Sequence, residues 1–120
     1  MKEDNVVREK SYAFALRVVR TYRYLAAEKQ EYVLSKQLLR AGTAVGANIE
    51  EAVGGQPDKD FSSKVAIAYK EACETHYWIR LLRDSDYLTL SQAGSLLADA
   101  EELLRIIGSI QKSMKSKTSH

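Results

Sequence analysis

The chain has 120 residues, 45% of them hydrophobic and 28% charged, with a formal net charge of +2. That length suits one domain over residues 1–120, and the charge is too close to neutral to announce a nucleic-acid partner. No apolar run approaches the ~20 residues of a membrane span, and the opening MKEDNVVREK is charged where a secretory signal turns apolar, so a cytoplasmic location is expected.

One proline and six glycines leave little punctuation, which predicts long helices joined by short connections and no strand. The first helix is expected over about 6–27, with Val7, Phe14, Val18 and Leu25 in an apolar stripe widened by Ala15 and Tyr22, and Asn5 as N-cap. The second is expected over about 32–53, carrying Leu38, Val45, Ile49 and Ala52. Its start is unmarked, and Gly54-Gly55 ends it through a left-handed C-cap. The third, about 57–84, opens with Pro57 and with Asp58 and Asp60 in its first turn, and carries Phe61, Val65, Ala68, Ala72, Ile79 and Leu82. The fourth, about 90–113, has Thr89 and Gln92 spaced as a capping box, with Leu88 placed to staple against Ala93, and a stripe from Leu96 to Ile110. A basic tail, 114–120, follows. Four such helices on short loops make an all-α, antiparallel up-down-up-down four-helix bundle.

The stretch from Leu38 to Ala52 is rich in small residues. Gly42 and Gly46 share a helical face, and each interior glycine costs about 1 kcal/mol relative to alanine, so a close backbone approach should offset them. Packing inside the bundle is the expectation, and a contact with another subunit the alternative. Asn48 falls near the apolar side, where Glu51, Glu71 and Glu74 could join it in a buried polar network if the second and third helices pair. A di-metal carboxylate site needs Glu-x-x-His pairs, whereas Cys73 precedes His76 by three and the other histidine is His120. Cys73 is the lone cysteine, which excludes an internal disulfide, a zinc ribbon and a CxxC pair and reads as a small core residue. Gly54-Gly55 lacks the lysine and hydroxyl residue of a phosphate loop, and His76 has no evident nucleophile to serve. Tyr77 and Trp78 read as a helix contact. No enzyme activity, cofactor, metal or small-molecule substrate is expected.

Charge is unevenly spread: residues 1–30 hold seven basic residues against four acids, and from Arg105 onward there are four basic residues and no acid. Arg17, Arg20 and Arg23, with Lys36 and Arg40 on the second helix and Lys112, Lys115 and Lys117 near the end, are the candidate phosphate-binding residues.

Three segments carry a resemblance: Lys10-Ser11-Tyr12-x-Phe14-Ala15, then Ser35-x-Gln37-Leu38-x-Arg40-Ala41-Gly42-Thr43-x-x-Gly46-Ala47-Asn48-Ile49-Glu50-Glu51-Ala52, then Ala68-Tyr69-Lys70-Glu71-Ala72-x-Glu74-Thr75-x-Tyr77-Trp78. Together they resemble the bacterial 23S rRNA intervening-sequence proteins, over most of residues 5–110 and through Asp84-x-x-Tyr87-Leu88. The resemblance implies a four-helix bundle that assembles as a ring-shaped homopentamer, akin to the accessory variability determinant proteins of diversity-generating retroelements, which bind RNA and a reverse transcriptase. It carries over no catalytic residue, and the basic flank lies outside its strongest motif. The function expected is therefore a non-enzymatic, oligomeric bundle whose basic surfaces bind structured RNA or a nucleoprotein. The alternative is a protein assembly module with no nucleic-acid role.

Overall fold

The structure, a computed structural model, describes the backbone of residues 2–55 and 59–118 and the side chains of residues 5–55 and 60–116. Four helices follow one another: α1 (Lys2–Glu28), α2 (Leu34–Gly54), α3 (Lys59–Asp84) and α4 (Leu90–Thr118). Their pairing is antiparallel. Gly42 lies against Val18 and Gly46 against Ser11 between α1 and α2, and Glu51 meets Lys64 while Arg40 meets Glu74 between α2 and α3. Gly108 lies nearest Tyr69 and Glu101 pairs with His76 between α3 and α4. In each pair the residue numbers rise on one helix as they fall on the other. The bundle measures 51 × 21 × 21 Å, and contact runs around the perimeter from α1 to α2 to α3 to α4, with α4 against α1 the thinnest seam.

The inward stripes are those the spacing predicts. Val7, Phe14, Val18 and Leu25 of α1, Leu38, Val45 and Ile49 of α2, Val65, Ala72, Ile79 and Leu82 of α3, and Leu96, Leu103 and Ile107 of α4 are all buried in one core. Cys73 is exposed instead, one position past the buried Ala72 on α3. Trp78 packs against the core, its ring edge-to-face with Tyr77 at 5.1 Å, while Tyr77 stays half exposed with Arg80 5.8 Å from its ring.

Helix ends differ from expectation in four places. Asn5 lies inside α1, not at its cap, because the helix already runs from Lys2. α4 continues to Thr118, since Met114 carries the apolar stripe beyond Ile110, so most of the basic tail is helical. Gly55 is extended, with φ −96° and ψ −165°, and is not left-handed. A Cβ there would lie 2.7 Å from the Glu51 carbonyl oxygen and 2.8 Å from Asp60 Oδ2, so crowding, not handedness, selects glycine. Pro57 and Asp58 lie outside the described residues. The Thr89–Gln92 capping box forms as predicted: Gln92 N–H donates to Thr89 Oγ1 at 3.1 Å and Thr89 N–H to Gln92 Oε1 at 2.9 Å.

The fourth difference is the start of α2, which Glu31 organises. The chain turns through Gln30 in the left-handed region, φ 54°, and the buried Glu31 carboxylate then accepts the N–H groups of Val33, Leu34 and Ser35 at 3.1, 3.0 and 2.7 Å. Ser35 Oγ donates back to the Glu31 carbonyl at 2.7 Å. Burial pushes the Glu31 carboxyl up, but the three backbone donors outweigh it and hold it below the usual carboxylate value. A depressed folded value contributes stability above the unfolded pKa that is lost as pH falls through the folded one. Glu31→Ala is therefore expected to lower stability by about 1–2 kcal/mol at neutral pH, with the deficit shrinking on acidification below the ordinary carboxylate range. Urea unfolding of both proteins across that range checks it; a deficit independent of pH would count against the ionised cap.

Candidate nucleic-acid interface

The helical register decides which basic residues stand together. Val18 opposite Gly42 sets the α1–α2 alignment, and continuing it toward the Lys29–Val33 connection brings Arg23 to the level of Lys36. Arg20, one turn before Arg23, reaches the α1–α4 seam beside Gln92. Lys112 lies twenty residues from Gln92 along α4, about 30 Å away toward the opposite end, and Lys115 is farther still. The Lys117 side chain lies outside the described residues. The candidate cations thus divide between the two ends of the bundle.

Ion pairing divides them again. Arg17 spans the α1–α4 seam, with Nη1 at 2.5 Å from Asp99 Oδ2 and Nη2 donating to Ser95 Oγ at 2.9 Å. Lys10 pairs with Glu102 across the same seam at 3.3 Å. Arg40 lies between two carboxylates of α3, donating to Glu71 at 3.2 Å and Glu74 at 2.8 Å. Arg20, Arg23, Lys36 and Lys112 are exposed, and their side chains make no ion pair or hydrogen bond with another described residue. A phosphate meeting them need displace no carboxylate, whereas one meeting Arg17 or Arg40 must compete with acids already in place.

The polar cluster expected around Asn48 does not assemble. Asn48 Nδ2 donates to the Ala44 carbonyl of its own helix at 2.8 Å, and Glu51 takes Lys64 at 2.7 Å, whose ammonium it holds above its usual value. Glu71 is buried and Glu74 half-buried, both turned to Arg40. His76 Nε2 sits 2.9 Å from Glu101 Oε2, joining α3 to α4. Among the described residues no group of three or more His, Cys, Asp or Glu side chains could hold a metal ion. Among the same residues no helix is long and apolar enough to cross a membrane. Asp99 and Glu102, the acids that neutralise Arg17 and Lys10, had no sequence signal: their partners are 82 and 92 residues away.

Four antiparallel helices, a single apolar core and a surface bound together by interhelical ion pairs define an all-α bundle protein. The family model for the 23S rRNA-intervening sequence protein matches residues 3–109, and the chain belongs to that family. Its fold is similar to the crystal structure of a protein of unknown function from the S23 ribosomal protein family of Bacteroides thetaiotaomicron, at 47% identity and a TM-score of 0.90, covering 92% of this chain and 98% of that one. No curated protein is detectably similar to the chain.

Proposed function

We propose that this protein is a non-enzymatic, self-associating helical bundle that binds structured RNA or a nucleoprotein through phosphate contacts. The observation that supports the reading is the set of uncompensated cations, Arg20, Arg23 and Lys36, on the half of the bundle next to the Lys29–Val33 connection, beside neighbours whose charges are spent on acids. The family is named for an intervening sequence of 23S rRNA, and the relative of known structure for a ribosomal protein family. Replacing Arg20, Arg23 and Lys36 with glutamine should weaken binding to a fully paired RNA hairpin and reduce the slope of log K against log salt by about 2–3. Neutralising Lys112 should act separately, being at the other end. An unchanged slope in the triple variant removes this surface.

A second reading, assembly without nucleic acid, is favoured by apolar side chains outside the core. Tyr12 and Leu16, one turn apart on α1, are 63% and 41% exposed, and Val6 is 38% exposed. The homopentamer is the expected assembly, and its mass in solution, measured in the same buffers, tests it. An intact oligomer that fails to bind RNA at low salt establishes this second reading over the first.

A further inference from the structure

Where α1 and α4 part, next to the uncompensated cations, the surface opens into a cleft of about 260 Å³. Leu88 and Leu96 contribute its apolar lining, Tyr24 an aromatic ring that also packs against the core, and Arg20, Thr21 and Gln92 its polar lining. Its volume is below the ~300–1,000 Å³ of sites that enclose a drug-sized ligand, and suits a single heterocycle. The hydrogen-bonding state of the lining narrows the choice. Gln92 Oε1 is taken by the Thr89 N–H, so its amide N–H groups remain to donate. Thr21 Oγ1 gives its proton to the Arg17 carbonyl at 2.8 Å and keeps its lone pairs to accept. Arg20 supplies a cation that no acid satisfies.

An aromatic ring, an amide donor, a hydroxyl acceptor and a cation on an apolar floor match the parts of a nucleotide turned out of its helix: a π-face, a base edge and a phosphate. We infer that the α1–α4 cleft holds one unpaired nucleobase, with Tyr24 against the ring, Gln92 and Thr21 on its polar edge and Arg20 on the adjoining phosphate. The inference rests on the RNA reading above and deepens it: paired RNA meets the cations alone, whereas RNA with an unpaired nucleotide also fills the cleft.

The test compares binding of the full chain to a fully paired RNA hairpin and to the same hairpin carrying one bulged nucleotide. The bulged RNA should bind about five- to a hundredfold tighter, the range that base–aromatic stacking supplies. Tyr24→Leu should abolish that preference while leaving paired-hairpin affinity and its salt slope unchanged. Gln92→Glu keeps the acceptor that caps α4 and removes the amide donors, so it should shrink the preference in a protein with an intact helix start. This second variant decides the matter if Tyr24→Leu fails to fold. Equal affinity of the wild type for both hairpins, or a preference untouched by Gln92→Glu, overturns the base-binding cleft and leaves the phosphate surface standing. Failure to bind either hairpin at low salt overturns the RNA reading and the cleft with it.

Discussion

Gly46→Leu is expected to lower stability by about 1–3 kcal/mol through overpacking. A Cβ added at Gly46 would lie 3.2 Å from the Ser11 carbonyl oxygen and 3.4 Å from its carbon, backbone atoms held within α1, so a larger side chain must push the two helices apart. Gly42 is tighter against a side chain: its added Cβ would stand 2.7 and 2.8 Å from the two methyls of Val18, which is fully buried and has little rotameric freedom as a β-branched residue in a helix. Gly42→Ala should therefore destabilise despite alanine's better helix propensity, and Val18→Ala in the same chain should restore part of the loss. Gly94 is the control. Nothing lies within 4 Å of a Cβ added there, so Gly94→Ala should stabilise by about 1 kcal/mol. Thermal unfolding of these variants gives the comparison, and a stable, fully assembled Gly46→Leu protein would show that α1 and α2 do not meet as described.

Leu38→Ala should cost about 2–5 kcal/mol. Leu38 is fully buried in the core on α2, and the close packing of that core limits collapse into the space it vacates. Leu90, at the first position of α4, is 80% exposed, and Leu90→Ala should change stability by no more than about 0.5 kcal/mol. Chemically identical truncations thus separate core from surface. Equal denaturation midpoints for the two variants would contradict the inward assignment of the α2 stripe.

The bundle was legible because its signals are local and redundant. Val7, Phe14, Val18 and Leu25 recur at helical spacing over five turns, and the Thr89–Gln92 box marks α4 within four residues. The Gly42 and Gly46 contacts were legible in kind, since two glycines inside a helix imply a close neighbour, but not in partner, since Val18 and Ser11 come from another helix. The start of α2 was hidden because glutamate is not a usual N-cap residue, and Glu31 acts by folding its carboxylate over three successive N–H groups after a left-handed Gln30. Least legible was the candidate interface. Eight basic residues look alike along the chain, and what distinguishes Arg20 from Arg17 is Asp99, brought in from α4 by packing. Likewise Arg40 is neutralised by Glu71 and Glu74, three residues apart on α3, and only the antiparallel register of α2 and α3 puts them within reach.

Because contact runs around the bundle from each helix to the next in the chain, three of its four seams are closed by connections of only a few residues. Ordering those seams restrains little chain at a time, which favours rapid formation of helical hairpins from local encounters. Only the junction of α1 with α4 joins segments from opposite ends of the sequence. The entropy of closing so long a loop grows only with the logarithm of its length, so a thin seam carrying the Lys10–Glu102 and Arg17–Asp99 pairs is enough to complete the circle.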